Sequence, residues 1–327
     1  MGARIGGVAV HLPERRMTSD ELERAIGPYR PPAGIVTRLT GITARHVMGA
    51  HEQASDLAVA AARKLLAETG TGPDEIDLLL FASASQDMVE PATAHIVAAK
   101  LDLRCPVMDV KNACNSVLNG LEVAAAMVES GRYRRVLVAS GEAPSRAVRW
   151  QVPNLGTFLR SFAGYTLSDA GAALLVTPGD GILASAFTAD SRHWPAGTLG
   201  TGGSAHPRDV EHTYFAMDAA RIKKAFLGIG TGILDDTLAG LGLTWADMAV
   251  VCVHQVSRPY LDVFVERAGV PRDKLVVTVG EHGNMASASL PVQLVTAIEL
   301  GRAGPGDLVA LVGLAGGVSL GIAVVRL

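Results

Sequence analysis

Aromatic residues make up only 5% of this 327-residue chain. Its core cannot rest on large rings; it has to come from Ala, Val, Leu and Ile, with 36 glycines supplying tight backbone turns. Cysteine is also scarce: Cys105, Cys114 and Cys252 are three in number and irregularly spaced. That excludes a disulfide framework and fits a reducing cytoplasm. Net positive charge is missing, the formal balance being −3, so bulk electrostatics offers nothing to a nucleic acid. No apolar run reaches the ~18 residues of a membrane span. The opening MGARIGGVAVHLPERR has too short an apolar stretch for a secretory leader. What is left is 49% hydrophobic and 19% charged, the balance of an ordered chain long enough for two core-forming units.

Short β-branched runs at 78–82, 106–110, 136–140, 172–176, 250–254, 275–279 and 308–312 predict strands. Several are apolar on both faces, as strands buried inside a layered sheet are. Ala-rich stretches at 54–69, 117–130 and 287–300 predict helices, the last two closed by Gly131 and Gly301. The order reads as βαβ units made twice, with one half over 1–178 and the other over 179–327. Residues 143–166, with Trp150, Pro153, Phe158 and Phe162, break the pattern and read as a cap or a dimer-facing insertion.

Cys114 falls at the turn between the strand at 106–110 and the helix that follows. There its sulfur would face the unpaired N–H groups of a helix start, whose partial positive charge lowers a thiol pKa. A reactive thiolate is expected, and small Ala113 and Ser116 leave room for a substrate arm. Cys105 and Cys252 sit in or beside apolar strands and read as inert core thiols.

Two later segments supply partners. His254 ends an apolar strand, and side chains at the C-terminal ends of such strands point into the crevice where sheet proteins bind ligands. About thirty residues on, Asn284 follows Gly283 in a loop that leads into a helix. A Cys nucleophile with a His and an amide from separate loops is a workable acyl-transfer set. His46, His51, His95, His193, His206 and His212 read as ordinary core or surface histidines, and His282 as a support to the site. No metal-ligand set is read from them.

Taken together, these residues resemble β-ketoacyl-acyl carrier protein synthase III and its relatives in the thiolase superfamily, over almost the whole length. The resemblance rests on Ile35–Ile42 with Arg45 and His46, Asp109–Cys114, Asp169–Ala173, His254-Gln255, Gly283-Asn284 and Gly313–Gly321. It implies an α/β thiolase fold, duplicated βαβαβαββ halves in five αβαβα layers, the first half carrying the Cys and the second the His and Asn. It implies that Cys114 takes an acyl primer, while His254 and Asn284 hold the thioester carbonyl of a malonyl- or β-ketoacyl-carrier protein donor in a decarboxylative condensation. The oxyanion of acyl transfer would sit between the N–H groups of Cys114 and Gly316. No metal or redox cofactor is implied; phosphopantetheine arrives with the substrate, on acyl carrier protein or coenzyme A. A homodimer is implied as well.

The chain departs from the family pattern in places. Gly34 stands near the position of a Trp that stacks on coenzyme A, although Arg38 remains to meet a phosphate. The His motif reads His254-Gln-Val-Ser257, and Ala315 replaces a glycine of the C-terminal loop beside Leu314. These changes point to a specialised secondary-metabolism relative. Glu90 lies where relatives present a residue from the partner subunit to the acyl tunnel. A carboxylate there could serve as a base for joining two acyl chains head-to-head without loss of CO2. Acyl transfer to an alcohol or amine is a third reading, disfavoured by Asn284 where such relatives carry Asp. Arg221, Lys223 and Lys224 on one helix, with Arg258, form a docking patch for an acidic carrier protein. A degradative thiolase would need a second Cys in 313–321, and none is there; a non-catalytic partner subunit would not keep Cys114, His254 and Asn284.

Overall fold

The computed structural model describes residues 2–327. Two sheets form its frame. The first orders its strands Ala3–His11, Ala170–Pro178, Val136–Glu142, Leu78–Ala82, Val107–Val110; the second, Ile182–Ala189, Ser319–Arg326, Leu308–Ala315, Val250–Val253. In each, the first two pairings are antiparallel and the next is parallel. The repeated order and polarity are those of a duplicated unit.

One expected strand is not formed. Val107–Val110 completes the first sheet, but the matching place in the second holds a single bridge between Val251 and Leu275. The run at 275–279 does not continue as a strand, and Val279 already opens the helical turn Val279–His282. Gln255 explains the difference. Its Nε2 donates to the Val276 carbonyl at 2.7 Å, and its Oε1 accepts the N–H groups of Thr278 and Val279, each at 3.1 Å. One buried amide takes backbone groups that a ladder would have used.

Helices Ser116–Glu129 and Ser289–Glu299 lie between the sheets. Their Leu118, Leu121, Leu290 and Leu294 pack in one cluster with Leu80 and Val138 of the first sheet and Cys252 and Leu311 of the second. Ala54–Thr69 and Thr93–Lys100 cover the outer face of the first sheet through Leu65 and Val97. Gly232–Gly240 and Arg258–Ala268 cover the outer face of the second through Leu234, Leu238, Leu261 and Val265. These are the five αβαβα layers of the thiolase fold. Small residues let them close: a Cβ on Gly141 would lie 1.7 Å from the Ala54 carbonyl oxygen, and one on Gly171, its register partner, 2.0 Å from that of Leu57. Helix backbone therefore rests directly on strand backbone, one residue before Glu142.

Other elements agree with the sequence pattern to within a few residues. The helix at Ala54–Thr69 is as expected, and Gly131 and Gly301 follow their helices with φ of 74° and 66°. The irregular segment 143–166 folds into 3₁₀ turns and the helix Leu155–Ser161. Phe158 and Tyr165 form a small core there with Leu22, Ile26 and Val36, so the segment is a cap. Among the described residues no helix is long and apolar enough to cross a membrane.

Candidate active site

The strand Val107–Val110 gives way to the helix Ser116–Glu129 through a turn at Ala113, whose φ of +46° is a conformation few side chains adopt. Small polar groups hold it. Ser116 Oγ donates to the Ala113 carbonyl at 2.7 Å and accepts the Asn112 N–H at 2.9 Å, while Asn112 Nδ2 donates to Asn119 Oδ1 at 2.8 Å. Asn115 Nδ2 donates to Ser319 Oγ at 2.9 Å and ties the turn to the C-terminal hairpin. The bend projects Cys114 into a cavity of about 1550 Å³.

The expectation of a low thiol pKa is overturned. Burial pushes Cys114 up to about 12, the negative charge of Glu142 adds to the effect, and backbone hydrogen bonding opposes it only weakly. Desolvation and the Glu142 charge act against the helix start, although the side chain is only partly buried. At rest the residue is a neutral thiol.

His254 extends from the strand Val250–Val253, its N–H bonded to the Val312 carbonyl at 2.8 Å. The imidazole is buried, and neither ring nitrogen has a hydrogen-bond partner among the described residues. Burial lowers its pKa to about 4, against a small opposing effect of the Ala286 backbone. The ring is therefore neutral near pH 7, with one N–H to donate and one lone pair to accept.

Asn284 is held by its own backbone, which donates to the Thr166 carbonyl at 2.8 Å and accepts from the Ser168 N–H at 2.9 Å. Its Oδ1 accepts the Ala286 N–H at 3.0 Å. A backbone N–H can only donate, so this bond fixes the amide orientation and leaves Nδ2 as the donor on the cavity side. Ala286, with φ of +46°, makes the tight return.

Ser257, Leu314, Gly316 and Lys223 line the same cavity as Cys114, His254 and Asn284. Gly316 belongs to the turn Gly316-Gly317-Val318 between paired Ala315 and Ser319. Val318 is buried with φ of +61°, an unusual angle for a β-branched residue, held where its carbonyl accepts the Asp190 N–H at 2.9 Å. Arg38, Glu90, Arg221, Lys224 and Arg258 are exposed and do not line the cavity, although Met88 and Val89, just before Glu90, do.

Sequence reasoning missed Glu142. It is fully buried, lines the cavity, and has no ion-pair partner among the described residues. Its carboxylate accepts the N–H of Ala84 at 2.9 Å, the N–H and Oγ–H of Ser85 at 3.2 and 3.0 Å, and the hydroxyl of Ser287. The signal was a carboxylate closing the apolar strand Val136–Glu142, the same kind of position His254 holds in the second half.

A neutral thiol, a neutral imidazole and an amide donor thus open on one large cavity whose walls include Phe158, Phe162, Phe215 and Phe226. Comparison with known proteins places the chain. The family model for the C-terminal part of 3-oxoacyl-[acyl-carrier-protein] synthase III matches residues 238–327, and that for 3-oxoacyl-[acyl-carrier-protein] synthase III matches 108–191. A β-ketoacyl-[acyl-carrier-protein] synthase III of Neisseria meningitidis is 32% identical over 98% of this chain and 97% of its own. One from Desulfitobacterium hafniense is 33% identical with the same coverage. A crystal structure of a 3-oxoacyl-(acyl-carrier-protein) synthase III superposes with a TM-score of 0.90 at 26% identity, covering 100% of both chains. A variant of Xanthomonas campestris OleA with bound lauric acid and lauroyl-CoA superposes with a TM-score of 0.89 at 27% identity, covering 100% of this chain and 99% of that one. The chain belongs to the 3-oxoacyl-acyl carrier protein synthase III family of thiolase-fold condensing enzymes.

Proposed function

We propose that this enzyme loads an acyl chain on Cys114 and extends it by decarboxylative condensation with a malonyl-type thioester on a carrier protein. The observation that carries the reading is the single cavity shared by Cys114, the unpartnered ring of His254 and the amide of Asn284. In loading, sulfur attacks the primer thioester, the carrier thiol leaves, and the proton of the Cys114 thiol passes to it. The N–H groups of Cys114 and Gly316 would hold the oxyanion. In condensation, the His254 N–H and Asn284 Nδ2 donate to the donor's thioester oxygen. CO2 departs, and the enolate so stabilised attacks the acyl carbonyl. The C–S bond to Cys114 breaks, CO2 having carried off no proton, and the released thiolate takes one from solvent. Both donors are neutral and aimed in advance, so they strengthen as charge develops.

Primer and donor would arrive on the phosphopantetheine of coenzyme A or acyl carrier protein, in the cytoplasm. Arg221, Lys224 and Arg258 are exposed beside the cavity-lining Lys223 and Ser257, where an acidic carrier could dock. A homodimer is supported by the free edge of Val107–Val110, the last strand of its sheet, with Met108 40% exposed. Head-to-head joining of two acyl chains is the second reading. It is supported by the likeness to OleA and by a cavity larger than the ~300–1,000 Å³ of ordinary ligand sites. In it, Glu90, which does not line its own chain's cavity, would act from the partner subunit.

The test is intact-protein mass spectrometry with acyl-coenzyme A and acyl-carrier-protein thioesters, using Cys114→Ala as control. Acyl mass on the wild type alone establishes the nucleophile. Labelled CO2 released from malonyl-carrier protein supports the first reading, and a two-chain product formed without CO2 loss in the condensing step supports the second. If no donor loads the wild type, the reading is wrong.

A further inference from the structure

His206, Asp209 and His212 lie three residues apart in a loop outside the reacting groups. Each presents a ligand atom, and these atoms all lie within 4.8 Å of one another. The two imidazoles stack with centroids 3.3 Å apart and planes at 13°. Asp209 Oδ1 accepts the Glu211 N–H at 2.9 Å, whereas Oδ2 faces His212 Nε2 at 3.7 Å. One carboxylate oxygen is thus engaged in holding the turn, and the other is directed at the cluster. Gly200 forms the back of the site: a Cβ there would meet His206 Cδ2 and His212 Nδ1 at 3.2 Å each.

We infer that His206, Asp209 and His212 form a binding site for a divalent transition-metal ion such as zinc, which two imidazoles and one carboxylate suit. That donor set fills three positions of a tetrahedron and leaves a fourth for water. Bonds of about 2.0–2.2 Å would set the ligand atoms about 3.3 Å apart, so binding needs an approach of up to roughly 1.5 Å and a turn of the two rings out of their parallel stack, which aims both in-plane lone pairs at one ion. Imidazole with carboxylate also accepts nickel and cobalt, whereas calcium and magnesium prefer all-oxygen sets.

The ion would act as a clasp on the cavity rim. The backbone N–H groups of Gly200 and Thr201 donate to the His212 carbonyl at 3.1 and 3.0 Å, and that of Gly202 to His206 at 3.2 Å. One arm of the loop, including Leu199 and Thr201, lines the acyl cavity, as does Phe215 on the other. Arg149 of the cap grips Glu211, within the ligand segment, through two 2.8 Å bonds. A metal joining 206 to 212 would therefore fix the loop against the cap and define the cavity wall at that side.

The test uses the full chain, stripped with a chelator and titrated with zinc ion alone, read by native mass spectrometry and calorimetry. One equivalent per chain is expected, with affinity reduced at least tenfold in His206→Ala and in Asp209→Asn. Zinc should also slow proteolytic cleavage within 199–213 in the wild type and not in the variants. Circular dichroism of the metal-free proteins checks that the variants fold; Asp209→Asn keeps the side-chain shape if His206→Ala does not. Absence of zinc binding, or undiminished binding in both variants as would follow from coordination at Cys114 and His254, overturns the site.

Discussion

Gln293 grips Val253 from both sides: its Oε1 accepts the Val253 N–H at 3.0 Å and its Nε2 donates to the Val253 carbonyl at 2.9 Å. The pair joins the buried helix Ser289–Glu299 to the residue just before His254. A side-chain amide is doing the work of a neighbouring strand, and so sets where the imidazole leaves the sheet. Gln293→Met would leave a buried N–H and a buried C=O unsatisfied, at about 1–3 kcal/mol each. The expected outcome is a lowered melting temperature and a kcat for condensation reduced about tenfold or more. Loading of Cys114 by an acyl donor should change less, which separate loading and condensation assays would measure.

The relation between Glu142 and Cys114 makes a prediction with an unusual sign. The carboxylate raises the thiol pKa, second only to burial. Glu142→Gln keeps an acceptor for Ser85 or Ser287 and removes the charge. The Cys114 thiolate fraction should then rise, and alkylation by iodoacetamide at pH 8 should accelerate by about 3–10-fold, each pKa unit being tenfold in thiolate. Peptide mass spectrometry assigns the label to Cys114 and not to Cys105 or Cys252. A slower reaction in the variant would show that Glu142 serves the thiol some other way.

How far these groups could be read from sequence depends on what holds them. Cys114, His254 and Asn284 are legible because each stands at a strand end or turn among small residues, a local pattern. Glu142 sits at the same kind of position, but its burial depends on Ser85 and Ser287, 57 and 145 residues away. The apolar strand Val136–Glu142 marks a carboxylate at its end, but the strand alone does not show that the carboxylate is buried rather than solvated. The thiol pKa failed for the same reason: the helix start is local, whereas desolvation and the Glu142 charge come from the fold. The run at 275–279 has the β-branched character of a strand, yet the distant amide of Gln255 intercepts its backbone. The alternation of apolar strands and Ala-rich helices showed repeated βαβ units, but the five layers were expected only from the family resemblance, because chain order does not give stacking order: the outer helices Ala54–Thr69 and Thr93–Lys100 precede the inner helix Ser116–Glu129.

Burial of His254 has a consequence for stability against pH. Its pKa is lowered from 6.5 to about 4, so between those values the unfolded chain binds a proton that the folded chain refuses. Stability contributed by the neutral ring is full above about pH 6.5 and falls as pH drops toward 4, by about 3 kcal/mol in all. His254→Asn removes the titration. Its melting temperature should therefore fall less steeply than that of the wild type between pH 7 and pH 4, even though the variant loses condensation activity. His46 and His282, also lowered by burial, remain in both proteins and cancel in the comparison.

Asn284 offers the sharpest separation of the proposed steps. Because Oδ1 is committed to the Ala286 N–H, only Nδ2 can donate toward the cavity. Asn284→Asp preserves the bond to Ala286 and replaces that donor with a carboxylate oxygen. A negative charge would then stand where the enolate oxygen is to form, in a site largely shielded from water. Decarboxylation of a malonyl donor should fall by about 10²–10³-fold, the range for removing one such donor. In the proposed loading step other N–H groups hold the oxyanion, so acyl loading on Cys114 should stay within about threefold of wild type. Mass spectrometry of the acyl-enzyme and release of labelled CO2 report the two steps independently. Equal loss of both would mean that Asn284 supports the nucleophile as well, and that the two half-reactions share more of the site than their separate donors imply.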